Sequence, residues 1–118
     1  MKILHFDSKE YNFITIDKNK YFIFKGINGK NVIIPDHCPH RGGPLHLGKW
    51  DEKKEAIICP WHRIACKKQY LIHNGLPAVR VGTDWHVLID QLDVQDVSLQ
   101  KLHIALEENL NKWERCIV

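Results

Sequence analysis

The chain has no apolar run approaching the roughly 20 residues that a membrane-spanning helix requires. Its start, Met1-Lys2-Ile3-Leu4-His5-Phe6-Asp7, reaches an aspartate too soon for the hydrophobic region of a signal peptide. Both absences point to a cytoplasmic protein with no membrane partner. An excess of one charge is missing as well: 17 Lys and Arg against 14 Asp and Glu leave +3, with the two signs mixed along the chain. No basic stripe or nucleic-acid motif emerges from that scatter. There is no internal repeat, low-complexity tract or linker, and 118 residues suit one domain. What is present is an ordinary folded composition, 44% hydrophobic and 26% charged. Cysteine is limited to four residues. In a chain expected to stay in a reducing compartment, that number points to metal or redox chemistry rather than a disulfide framework.

The first third reads as β-structure. Phe13-Ile14-Thr15-Ile16 and Tyr21-Phe22-Ile23-Phe24 flank the polar turn Asp17-Lys18-Asn19-Lys20. Asn28-Gly29, between Ile23–Ile27 and Val32-Ile33-Ile34, suits the positive φ angles of a two-residue hairpin turn. Further strands are expected at Ala56-Ile57-Ile58, Val79-Arg80-Val81 and Trp85–Ile89, the last two joined by Gly82-Thr83-Asp84. Two loops rich in Pro, Gly, Cys and His lie between strands, at about 35–48 and 59–66. Short strands with such turns predict a small antiparallel β-sandwich or barrel. From Ser98 onward Leu99, Leu102, Leu106, Leu110 and Trp113 recur every three or four residues. That period predicts a C-terminal amphipathic α-helix within 96–118, capped by Ser98 or Asp96, packed on the β-domain or against a partner or second subunit.

Chemistry concentrates in Cys38-Pro39-His40-Arg41-Gly42-Gly43-Pro44-Leu45 and Cys59-Pro60-Trp61-His62. These give C-x-H, eighteen intervening residues, then C-x-x-H. Mixed thiolate and imidazole donors suit zinc or iron. Zinc modules usually pair like ligands, with C-x₂₋₄-C at one end and H-x₃₋₅-H at the other. Here each loop supplies one Cys and one His. That pattern allows both cysteines to serve one metal and both histidines another, as in a [2Fe–2S] cluster with two His ligands. A zinc-binding structural module is the competing reading, and the ratio of iron to acid-labile sulfide separates the two.

The two segments resemble the Rieske signature, and the likeness extends from the first strands through about Ile89. It implies a β-sandwich base with an inserted cluster-binding subdomain, over about 1–95. It further implies that Cys38 and Cys59 hold an inner iron of one [2Fe–2S] cluster, and His40 and His62 an outer, more exposed one. Gly75-Leu76-Pro77-Ala78-Val79-Arg80 resembles the proline-bearing loop that covers the cluster in this family. The gap between the motifs is slightly long, and the charged stretch Asp51–Glu55 absorbs the excess. Replacing two thiolates by neutral imidazoles makes the cluster less negative, moving its potential from about −400 mV to roughly −150 to +300 mV. Gly43 and Trp61 stand where high-potential members carry a loop disulfide, and Ile64 stands where they carry a serine. The lower part of that range is therefore expected.

Around the ligands, Arg41 and Arg63 read either as a positive rim for an acidic partner or as solvated charges. Family members commonly have Gly at the position of Arg63, so this loop is expected to turn differently. Trp61 reads as a shield over the cluster or as a buried structural residue. His37 and His46 are expected on the surface, and Cys66 and Cys116 as spare buried thiols. An oxygenase would need a further iron site of two His and a carboxylate. After Ile89 the sequence offers one histidine, His103, so no independent catalytic site is expected. The resemblance thus implies a Rieske-type ferredoxin, carrying single electrons from a reductase to an oxygenase or similar enzyme. A separately encoded Rieske subunit of an oxygenase or nitrite reductase is the alternative.

Overall fold

Strands that are apolar at every position, rather than at every second one, belong in a sheet covered on both faces. Tyr21-Phe22-Ile23-Phe24 and Ile33-Ile34 are such runs, and all six side chains are buried. The computed structural model describes residues 2–27, 30–39, 43–61, 63–89 and 95–104. Among these the chain order is β1 (Lys2–Asp7), β2 (Phe13–Ile16), β3 (Asn19–Ile27), β4 (Lys30–Pro35), a 3₁₀ turn (Leu45–Leu47), β5 (Lys49–Asp51), β6 (Ala56–Ile58), β7 (Ala65–Lys67), α1 (Lys68–His73), β8 (Ala78–Val81), β9 (Asp84–Ile89) and β10 (Val97–Gln100). All strand pairs are antiparallel, in three sheets ordered β10-β2-β3-β4, β1-β9-β8 and β5-β6-β7.

The four-stranded sheet separates two cores. Ile14, Ile16, Tyr21, Ile23 and Ile33 face one way, packing with Phe6, Trp85, Val87 and Ile89 of the β1-β9-β8 sheet. Phe13, Phe22, Phe24 and Ile34 face the other way and meet Leu45, Trp50, Ile57, Leu71 and three cysteines. The alternation along each strand is the ordinary two-residue period, with a core on each side. The small β5-β6-β7 sheet is inserted in the chain between β4 and β8. This matches the expected mainly β architecture of a base with an inserted subdomain.

The expected hairpin of β3 and β4 forms, with Phe24 opposite Val32 and a register shift between Lys25 and Ile27. Its Asn28-Gly29 pair lies outside the described residues. Gly82 at φ +62° turns β8 into β9, a conformation that costs glycine nothing. The charged stretch Asp51–Glu55 links β5 to β6, where Asp51 Oδ1 accepts the backbone N–H groups of Lys53 and Lys54.

The chain after Val97 departs from expectation. Val97–Gln100 is a strand, with Leu99 opposite Ile14, so no helix begins at Ser98. Lys101–Ile104 has no helical structure either, and residues 105–118 of the expected helix lie outside the described residues. Leu102 and Ile104 instead pack on the cysteine-side core. The Asn12 side chain holds this segment: its Nδ2 donates to the Leu102 carbonyl and its Oδ1 accepts the Leu102 N–H, both at 2.8 Å. Asn12→Ala is expected to lose about 1–3 kcal/mol of stability. Faster amide exchange at Leu102 and a lower denaturation midpoint would check this.

Candidate metal centre

Both cysteine loops are closed by their own backbone. In the first, the Cys38 N–H donates to the Gly43 carbonyl at 3.0 Å. In the second, the Cys59 N–H donates to the Ile64 carbonyl at 3.0 Å, and the Arg63 N–H donates to the Cys59 carbonyl at 2.9 Å. Each loop leaves a buried strand, β4 or β6, so its cysteine enters the core directly. Cys38 and Cys59 are both 0% exposed and share one cluster with Phe22, Phe24, Leu45 and Trp50. The structure brings these two predicted ligands into one buried region. The other two, His40 and His62, lie outside the described residues, as does Arg41.

Gly43 presses against the second loop. A Cβ at this position would collide with Cys59 Sγ and would lie 3.5 Å from the Trp61 ring. The absence of a side chain at residue 43 thus lets the first loop pack directly against the Cys59 sulfur. Trp61 covers it from outside while remaining 60% exposed, which removes the buried structural reading of this residue.

Arg63 is exposed and adopts φ +56°. The loop therefore holds a side-chain-bearing residue in the left-handed region that glycine adopts without strain. A non-glycine residue there costs roughly 1–2 kcal/mol. Arg63→Gly is expected to recover up to about 1 kcal/mol, since glycine also gains unfolded-state entropy, and equilibrium denaturation measures the difference.

His46 is not a surface residue. Its side chain is 16% exposed and its Nδ1 lies 2.8 Å from Oδ2 of Asp36, which is 4% exposed. Asp36 Oδ1 also accepts the His46 backbone N–H at 2.8 Å. The imidazole sits edge-on to Phe13 and Phe22. Burial pushes the Asp36 carboxyl above its usual range despite the hydrogen bonds from His46 that oppose the shift. This pair ties residue 36, just before Cys38, to residue 46 at the far end of the loop. The carboxylate closing a buried strand, with a His later in the same loop, was the available sequence signal. His37 is exposed, as expected.

Cys66 is a buried thiol, as expected, but it has a neighbour that the sequence did not reveal. Its Sγ lies 3.6 Å from Cys38 Sγ, with the Cys66 thiol placed as donor. Pairing of Cys66 with Ile57 across β6 and β7 carries it there. The sequence reading places Ala65 and Cys66 in the loop at 59–66, whereas both belong to β7. Burial first, then the neighbouring Cys38, pushes the Cys66 thiol up to about 12. Pro77 is exposed at the entry to β8, where its carbonyl accepts the Leu88 N–H at 2.9 Å.

Two protected thiols on backbone-closed loops that meet at Gly43 and Cys59 fit an iron–sulfur group held by thiolates. The family model described as the Rieske [2Fe-2S] domain matches residues 2–95. The chain belongs to the Rieske family. Membership carries one [2Fe–2S] cluster. The Rieske chain is 36% identical over 58 residues to chlorophyllide a oxygenase, chloroplastic, of Oryza sativa subsp. japonica, covering 48% of this chain and 10% of that protein. It is 34% identical over 62 residues to the vanillate O-demethylase oxygenase subunit of Pseudomonas sp. (strain HR199 / DSM 7063), covering 51% of this chain and 17% of that protein. The Rieske region shared with these relatives is thus a small part of their length. No solved structure matches the chain. Among the described residues, no helix is long and apolar enough to cross a membrane.

Proposed function

We propose that this chain is a one-electron carrier, a Rieske-type ferredoxin that receives electrons from a reductase and delivers them to an oxygenase or similar enzyme. The observation supporting this most directly is the pair of buried thiols, Cys38 and Cys59, beneath an exposed Trp61. In this reading Cys38 and Cys59 bind one iron, and His40 and His62 bind the other. The bound cluster accepts and releases one electron at a time. The residues around Cys38 and Cys59 keep water from the sulfurs. A cleft of about 600 Å³ beside Trp61 is lined by Lys18, Lys20, His37, Tyr70 and Asn74, with Asp36 the one carboxylate among its described residues. With exposed Arg63 it offers positive charge that would orient an acidic partner near the cluster.

The test combines composition and reactivity. Iron and acid-labile sulfide should be equimolar, and the dithionite-reduced protein should give the low-average-g EPR signal of mixed Cys/His ligation. The midpoint should lie in the lower part of the roughly −150 to +300 mV window. Reduced protein mixed with excess ferricytochrome c should be reoxidised with one electron passed per cluster. A colourless zinc-loaded protein, or a midpoint well above zero, contradicts the reading.

A second reading is a Rieske subunit or segment of a larger oxygenase. The observation favouring it is that both relatives named above are oxygenases. Native mass measurement separates the two. A free, redox-active chain supports the carrier, and a stable complex with an iron-containing catalytic chain supports the subunit.

A further inference from the structure

We propose that the Cys66 thiol donates a hydrogen bond to the sulfur of Cys38 and thereby raises the reduction potential of the cluster that Cys38 helps to hold. The proposal rests on the reading of Cys38 as a cluster ligand. The two sulfurs are 3.6 Å apart, within hydrogen-bonding range for sulfur, although 28 residues separate them in sequence. Cys38 is 0% exposed and Cys66 is 1% exposed, so water does not compete for either atom.

The placement is built into the fold. Cys66 is the central residue of β7 and pairs with fully buried Ile57 of β6. Cys59 follows β6 immediately, so the strand pair that carries the second loop also delivers the donor to the first. Adding an electron to the cluster increases negative charge on its ligand sulfurs. A donor aimed at such a sulfur favours the reduced form, more strongly in a dry interior than in water. No covalent bond changes: the hydrogen stays on Cys66, and the added electron comes from the reductant. Cys66 therefore acts as a positioning and tuning residue through Cys38. A third thiolate ligand is the competing role for the same side chain.

The experiment compares wild-type protein with Cys66→Ala, Cys66→Val and Cys66→Ser, reading iron and sulfide content, EPR g values and midpoint by dithionite titration. Val keeps an apolar side chain of similar size, and Ser keeps a donor. Expected are full clusters and unchanged g values throughout. Ala and Val should shift the reduction equilibrium about threefold to tenfold toward the oxidised form, tenfold being about 59 mV for one electron. Ser should stay at or above the wild-type midpoint. Wild-type protein alone gives a further readout: exchange into D₂O should move an iron–cysteine stretching band in the resonance Raman spectrum. Full clusters with four equal midpoints, or no isotope shift, overturn the proposal. Loss of iron with altered g values in Ala and Val assigns Cys66 as a ligand and also overturns it. Wild-type protein lacking iron and sulfide would instead overturn the cluster-ligand reading on which the proposal stands.

Discussion

Cys59→Ala is expected to abolish cluster binding while leaving the protein folded, and Cys38→Ala is expected to do the same. Each substitution removes a buried sulfur from the proposed ligand set, and no water can enter a dry apolar core to replace it. The fold should survive, because the core between the four-stranded sheet and the β1-β9-β8 sheet contains neither cysteine. The loss of volume costs stability on the cysteine side only. Iron and sulfide assays should fall to background, with the visible colour lost and the far-ultraviolet circular dichroism retained. A coloured Cys59→Ala protein with normal iron would exclude Cys59 as a ligand.

Gly43→Val should have the next largest effect. Any Cβ at residue 43 meets Cys59 Sγ, and the Trp61 ring blocks movement on another side. Overpacking of this kind costs about 1–3 kcal/mol. The collision falls on a proposed ligand atom, so cluster content should drop far more than global stability. Gly43→Ala should show a weaker form of the same defect. Measuring iron per chain beside the urea midpoint separates the two effects. A Gly43→Val protein with full iron and an unchanged midpoint would show that the close packing of Gly43 on Cys59 has no part in holding the cluster.

The sequence made β2, β3 and β4 legible because their runs are apolar on both faces. β2 begins and ends where the run Phe13–Ile16 does, and β6, β8 and β9 lie where apolar runs had been marked. β5 and β7 escape because Lys49-Trp50-Asp51 and Ala65-Cys66-Lys67 are short and mix apolar with charged residues, unlike the all-apolar β6. β1 escaped for another reason: Phe6 is its one fully buried side chain, so its pattern is weak. Residues 97–104 depart from the expected helix because Leu99 and Leu102 are three apart, a spacing that imitates one. In the fold Leu99 belongs to one core and Leu102 to the other, as residues on opposite sides of a sheet do.

At the metal centre, the C-x-H and C-x-x-H spacing carried both described thiols. The contacts that fix them were hidden, because they depend on which strands pair. Asp36 with His46, Gly43 with Cys59 and Cys66 with Cys38 all join positions whose proximity no local pattern encodes. Cys66 looked like a spare thiol because its partner lies across a strand pair and a loop.

The arrangement of two cores on either side of one sheet has a consequence for how the protein is assembled in the cell. A classical zinc finger needs its ion to have a shape at all. Here the core between the four-stranded sheet and the β1-β9-β8 sheet contains no cysteine, so its packing does not wait on delivery of the inorganic component.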